Sequence, residues 1–185
     1  MQRKLLSLAS IYLPIILVGI TAIHMGKDKE NTIQNEYTTR DSRVEVLEEF
    51  FDEYKSPLKG HAETFVKTAE KYNIDYKILP AISCMESTCG KKIIPNSYNP
   101  FGWGIHGKQY ISFKSFDEAI EKVGEGLNKG YFSKGLDTIP EIAPIYTPPN
   151  PNHWMSGVNF FIARMEEVEK EQENQSLKEI VLSYL

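Results

Sequence analysis

An apolar run of about 19 residues, Leu5 to Ile23, divides this chain before any other feature is weighed. Arg3 and Lys4 precede it and a mixed-charge segment follows from Lys27, a bias that predicts the N-terminus in the cytoplasm and the remainder outside. The run is long for a signal-peptide core and lacks a clear Ala-x-Ala site, so residues 1–25 read as an uncleaved, single-pass membrane anchor. A cleaved signal, giving a secreted protein, is the alternative that Pro14 and the Gly19-Ile20-Thr21-Ala22 run leave open. No lipobox cysteine follows. Residues 26–43 are polar, mix both charge signs and show no sustained periodicity, which marks a linker. What remains is enough for about one globular domain, placed at residues 44–169, followed by a charged tail with an amphipathic end at 170–185.

The domain reads as mainly helical. Val44 to Tyr54 predicts a helix, and Pro57 opens another with Leu58, Ala62, Phe65, Val66 and Ala69 on one side. Asn73 and Asp75 mark a turn into a helix that begins near Ile78, with Pro80 in its first turns where a missing donor is least harmful. Phe116 to Leu127 predicts a further helix, and Trp154 to Glu169 the last of the domain. Trp103 to Phe113 fits a short hairpin with Gly107 at its tip, and Pro140 to Pro151 a loop. The tail from Glu166 to Gln175 is highly charged. Beyond it Leu177, Ile180, Val181, Tyr184 and Leu185 form an apolar stripe able to dock on the domain.

Within this frame Glu86 stands out. At about 100° per residue from Ile78, Ile82 lies at about 40°, Leu79 at about 100°, Met85 at about 340° and Glu86 at about 80°, between aliphatic neighbours. Such a carboxylate is partly desolvated, and Gly90 places it near the last turn, where the negative end of the helix dipole also disfavours an anion. Both effects raise its pKa. A carboxyl protonated near neutral pH is what glycoside cleavage needs as a general acid, because the leaving sugar oxygen cannot depart as an alkoxide. The competing reading is a helix-end Glu that turns to solvent or pairs with Lys91 or Lys92.

From Ser87 to Phe116 there is no Asp, Glu or Arg, and the charges are Lys91, Lys92, Lys108 and Lys114, in a chain of formal net charge -4. Tyr98, Phe101, Trp103, Tyr110 and Phe113 interleave there with Gly102, Gly104 and Gly107. Rings on a turn-prone, cationic stretch suit the faces of sugars in an anionic polymer. A small hydrophobic cluster with solvated lysines is the plainer reading of the same residues.

The run Ile78-Leu79-Pro80-Ala81-Ile82, then Met85-Glu86-Ser87, Gly90-Lys91 and Asn99-Pro100-Phe101-Gly102-Trp103-Gly104, resembles the bacterial glucosaminidase domains of the lysozyme-like superfamily. Those domains are often labelled mannosyl-glycoprotein endo-β-N-acetylglucosaminidase-like, although nothing in these residues selects mannose. The "ES" pair followed by Asn-x-Phe-Gly is also similar to lytic transglycosylases. Tyr146-Thr147-Pro148 and Trp154 followed by Val158 look like the family's closing segment and last core helix, so the resemblance spans roughly Ser56 to Met165 in order. It implies a mainly α, lysozyme-like α+β fold with a short hairpin lobe. It also implies cleavage of peptidoglycan glycan strands at a β-1,4 linkage, with Glu86 as catalytic acid and Tyr146 beside it. Asn99, Gly102 and Tyr146 match cleft positions; Phe101, Trp103, Tyr110 and Trp154 are the further candidate substrate contacts.

Glucosaminidases with two carboxylates are expected to supply the second from the lobe after the acid helix. Here none occurs before Asp117, and Asp117, Glu118 and Glu121 read as the solvated first turns of the next helix. One acid suffices if the substrate's own N-acetyl group attacks the anomeric carbon. A lytic transglycosylase, a muramidase, and a membrane-tethered wall-binding module without chemistry are the alternatives. Cys84 and Cys89 flank the acid; five apart on a continuous helix they lie about 140° apart around the axis, so a bridge needs the helix to end near Glu86, and two free thiols are the other reading. A Cys84 nucleophile with His106 or His153 is the runner-up chemistry. His24, His61, His106 and His153 have no ligand spacing, so no metal and no cofactor is expected, nor any nucleic-acid partner, and the protein is expected to be a monomer.

Overall fold

The computed structural model describes residues 40–104 and 109–184. The expected anchor, most of the linker, the hairpin tip with His106, Gly107 and Lys108, and Leu185 lie outside the described residues. Among the described residues there are six α-helices: α1 (Ser42–Glu53), α2 (Ala62–Tyr72), α3 (Ile78–Ser87), α4 (Phe116–Gly130), α5 (Ile139–Tyr146) and α6 (Pro151–Ser183). No helix among the described residues is long and apolar enough to cross a membrane.

Local chemistry accounts for the boundaries. Pro57 opens a turn leading to a short 3-10 segment, Lys59–His61, so α2 begins at Ala62 and not at the proline. Asn73 ends α2 in the left-handed conformation, φ 52°, with its N–H donating to the Ala69 and Glu70 carbonyls. Ser115 caps α4 by accepting from the Glu118 N–H, while the Glu118 carboxylate accepts from the Lys114 N–H. The expected Pro140–Pro151 loop is instead largely helical. Thr138 and Glu141 form a capping box, Pro140 falls in the first turn of α5, and Pro144 sits on its exposed side.

The core is assembled from Leu47, Phe50 and Phe51 of α1, Phe65 of α2, Leu79 and Ile82 of α3, Ile120 and Leu127 of α4, Ile142 of α5 and Met165 of α6, all fully buried. α3 is buried on nearly every side and leans on α6, which runs the length of the domain. Polar ties fix α6 in place. Arg164 forms a bidentate pair with Glu53 of α1, and Glu169 accepts from the Tyr76 hydroxyl at 3.0 Å and pairs with Lys77 at 3.2 Å. The helix continues without a break through residue 169. Its last turns do not dock on the domain: Leu177, Ile180, Val181, Leu182 and Tyr184 are 54–85% exposed.

Residues 105–108 of the expected hairpin lie outside the described residues; among those described no strand forms, and Gln109 alone has a bridge geometry. Asn99 ties the two sides of this segment together. Its side-chain amide donates to the carbonyls of Trp103 at 2.8 Å and Ile111 at 3.0 Å, and its side-chain oxygen accepts from the Trp103 N–H at 3.0 Å. One buried side chain thus satisfies three backbone groups and closes the loop.

Candidate active site

α3 stops just after the acid. Thr88 and Cys89 both take left-handed backbone, each with φ 55°, and Gly90 follows at φ 77°. That reversal brings the Cα atoms of Cys84 and Cys89 to 3.6 Å, and the two form a disulfide, so the reading of two free thiols is overturned and with it a Cys84 nucleophile. The helix stops at Thr88, ahead of the Gly90 that the sequence offers as its end. Ser87 braces the turn by donating to the Ser83 carbonyl and accepting from the Gly90 N–H, both at 2.8 Å, and Ser56 donates to the Cys89 carbonyl at 2.7 Å.

Glu86 therefore projects from a rigid helix end into an open cleft of about 310 Å³, lined by Glu86, Phe101, Gly102, Trp103, Gly104, Tyr131, Tyr146 and Thr147. The helical wheel is corrected here. α3 is apolar almost all round, and Glu86 occupies its accessible edge, not a buried apolar face. The carboxyl meets solvent from the cleft, but protein fills most of its surroundings. That loss of hydration pushes its pKa above the ordinary Glu value, against the lowering effect of a hydrogen bond from Trp154.

Trp154 of α6 donates from its indole Nε1–H to Glu86 Oε1 at 2.8 Å. It is 4% exposed, and one ring face stacks on Tyr146 with centroids 4.6 Å apart. It has no open face for a sugar and does not line the cleft, so its expected role as a sugar contact gives way to one as a partner of the acid. Tyr146 stands where the sequence places it, beside Glu86 on the cleft wall. Burial, then the neighbouring Glu86 and Tyr131, raise its pKa well above the usual phenol range, so its hydroxyl stays a neutral donor.

The floor is made by Phe101, Gly102 and Trp103. Gly102 adopts φ 60°, and a Cβ there would sit 3.7 Å from Glu86 Oε2, so the glycine leaves room beside the second carboxylate oxygen on the cleft side. The Trp103 indole lies against Gly126 of α4, where a Cβ would come within 2.5 Å of the ring. Asn99, 4% exposed, builds the loop and does not line the cleft; Tyr110, 48% exposed, lies outside the lining too. Three lining residues were not among the candidate contacts: Tyr131, Gly104 and Thr147, the last two lying within the quoted runs. Tyr131 has no local signal, because only the packing of the end of α4 against α5 brings it to Tyr146, with centroids 6.4 Å apart.

No carboxylate from Asp117 to Glu141 lines the described cleft wall. Asp117 accepts from Thr64 at 2.6 Å and lies 2.7 Å from His61 Nδ1. Although burial raises its pKa, these two hydrogen bonds and the His61 charge together hold it below the usual value. Glu118 caps α4, Glu125 pairs with Lys129, Glu141 caps α5, and Glu121 and Asp137 are exposed outside the cleft. A second cavity of about 440 Å³ between α1 and α6 has Glu45, Glu169 and Glu173 on its walls but no aromatic ring, and Glu169 is already engaged. Among the described residues no cluster of His, Cys, Asp or Glu has the arrangement of a metal site.

No protein-family model matches the chain, and no curated protein matches it.

Proposed function

We propose that the domain cleaves the glycan strand of peptidoglycan at a β-1,4 linkage, as an endo-β-N-acetylglucosaminidase with Glu86 as its one catalytic carboxyl. The observation that carries this reading is the accessible, pKa-raised carboxyl of Glu86 in a cleft whose other walls are rings, glycines and a neutral phenol. The resemblance of the Glu86, Asn99–Gly104 and Tyr146 segments to bacterial glucosaminidase domains supports it independently. The apolar run Leu5–Ile23 adds the proposal that the domain is tethered to a membrane and works outside the cytoplasm.

In this reading Glu86 donates its proton to the glycosidic oxygen as the bond from that oxygen to C1 breaks, and the bonding electrons leave with the oxygen. The acetamido oxygen of the same sugar attacks C1 in place of a protein nucleophile. Water then opens the cyclic intermediate, returning a proton to Glu86 and leaving a reducing end. Tyr146 donates a hydrogen bond to the acetamido group or to the charge developing on it. A lytic transglycosylase uses the same acid with an internal hydroxyl as the attacking group. The lack of a second carboxylate on the described cleft wall also keeps a wall-binding module without chemistry in view.

Mass spectrometry of fragments released from purified walls separates these cases. Reducing N-acetylglucosamine ends are expected. Reducing N-acetylmuramic acid ends replace the reading with a muramidase, anhydro ends with a lytic transglycosylase, and wall binding without fragments with a binding module. Asp117→Asn, Glu118→Gln, Glu121→Gln and Asp137→Asn are each expected to keep measurable activity when folded. One of them as inactive as Glu86→Gln contradicts the single-carboxylate mechanism.

A further inference from the structure

We propose that Trp154 is the positioning residue of the acid: its indole N–H holds Glu86 Oε1, so that the transferable proton resides on Oε2, the oxygen that faces Gly102 and the cleft. The inference deepens the proposed glycan cleavage and rests on that reading for its catalytic consequence, but the orientation of the carboxyl stands on geometry alone.

A carboxyl has two oxygens, and a general acid is useful only if its proton is on the one that meets substrate. In this site the two are not equivalent. Oε1 accepts from Trp154 Nε1 at 2.8 Å, from a side chain that is 4% exposed. An indole N–H donates and never accepts, so it satisfies an oxygen lone pair and favours the bare oxygen at that position. Oε2 lies across from Gly102, where the absence of a side chain leaves the approach clear. The proton is thereby assigned to the open side.

The indole itself cannot drift. Tyr146 stacks on it at an interplanar angle of 28°, and three residues along α6 Gly157 lies against α3, where a Cβ would come within 2.2 Å of the Met85 sulfur. α6 is thus held against the helix that carries the acid, one residue from Glu86. The other titratable groups of the described cleft wall are Tyr131, at the end of α4, and Tyr146, of α5. Burial raises both phenols, so Glu86 is the wall group that changes charge in the working range.

The chain has two tryptophans, which makes the test direct. In a full-length protein labelled at indole 15N and Glu carboxyl 13C, the Trp154 Nε1–H resonance is expected to move with pH in step with the Glu86 carboxyl, as ionisation strengthens the hydrogen bond. The Trp103 resonance is expected to move far less, and the Trp154 step to vanish in Glu86→Gln. A Trp154 resonance that ignores the ionisation of Glu86, or that moves equally in the Gln variant, overturns the inference whether or not the protein lyses walls. Absence of lysis by the wild type, with the coupled titration present, instead rejects the catalytic reading and leaves the orientation standing.

Trp154→Phe keeps the stacked ring and removes the donor. Its lysis rate at the optimum is expected to fall about ten-fold, with the alkaline limb of the pH profile displaced to higher pH, because the hydrogen bond no longer favours the anion. Loss of activity with an unmoved limb indicates a merely structural ring, and weaker wall binding with an unmoved limb indicates a sugar contact; either overturns the positioning role. Where that variant does not fold, the wild-type titration decides.

Discussion

Glu86 and Trp154 stand 68 positions apart in the chain, and the properties of each depend on the other. Because the cleft strips hydration from the charged form, folded protein binds the Glu86 proton more tightly than the unfolded chain does. Stability from this group is therefore fully present below the unfolded pKa and is lost as pH rises through the folded value. Glu86→Gln removes that dependence. Thermal melts across pH are expected to show the Gln variant more stable than wild type at about pH 8 and level with it at about pH 4; a gap that does not change with pH contradicts the raised pKa. Tyr146→Phe, lacking only the hydroxyl, is expected to retain the fold and lose about 10- to 1000-fold in lysis, measured as turbidity loss of purified walls. Glu86 was legible as a candidate from the quoted segments, although the wheel set it on a buried face where the structure has an accessible edge. The work of Trp154 was not, because the partner of an indole N–H is set by helix packing that no local pattern records.

At the scale of elements, the turn after α3 shows what a local reading finds and what it misses. Cysteines five apart could bridge only if the helix ended near Glu86, and it does so because two non-glycine residues, Thr88 and Cys89, accept left-handed backbone ahead of Gly90. Spacing stated the condition, and a local hydrogen bond to Ser87 with a tertiary one from Ser56 brace the turn that meets it. Replacing both cysteines by serine is expected to cost about 2 kcal/mol, the chain-entropy value for so short a loop, read from denaturant melts of oxidised wild type against the variant. An unchanged midpoint means the hydrogen bonds alone hold the turn. α5 departs from expectation for a related reason: five prolines within Pro140–Pro151 read as a loop, but Pro140 falls in a capped first turn and Pro144 lies on the exposed side of the helix. The end of α6 is the opposite case. Its stripe was legible, yet from Leu177 to Tyr184 it lies open, so amide exchange there is expected to be faster than at Val158 or Met165, which are fully buried.

For the whole molecule, the site is an intersection of elements that are far apart in sequence: the end of α3, the Asn99-closed loop, the end of α4, the end of α5 and the start of α6. The helical character of the domain followed from apolar periodicity, with α5 the exception. The closure of the Asn99 loop did not, because one buried asparagine bonds backbone groups 4 and 12 positions away. Close helix-to-loop packing also has consequences at a distance. Gly126→Ala on α4 would push on the Trp103 indole, at a cost of about 1–3 kcal/mol from overpacking, and is expected to weaken retention on purified walls while leaving the Glu86 titration in place. All of these consequences converge on one claim, that Glu86 donates the proton that breaks a wall glycan. Lysis of purified cell walls by wild type and by folded Glu86→Gln tests it most directly. Lysis by the wild type that is abolished in the Gln variant, with wall binding kept, is the expected result; an equal rate from the two proteins contradicts it.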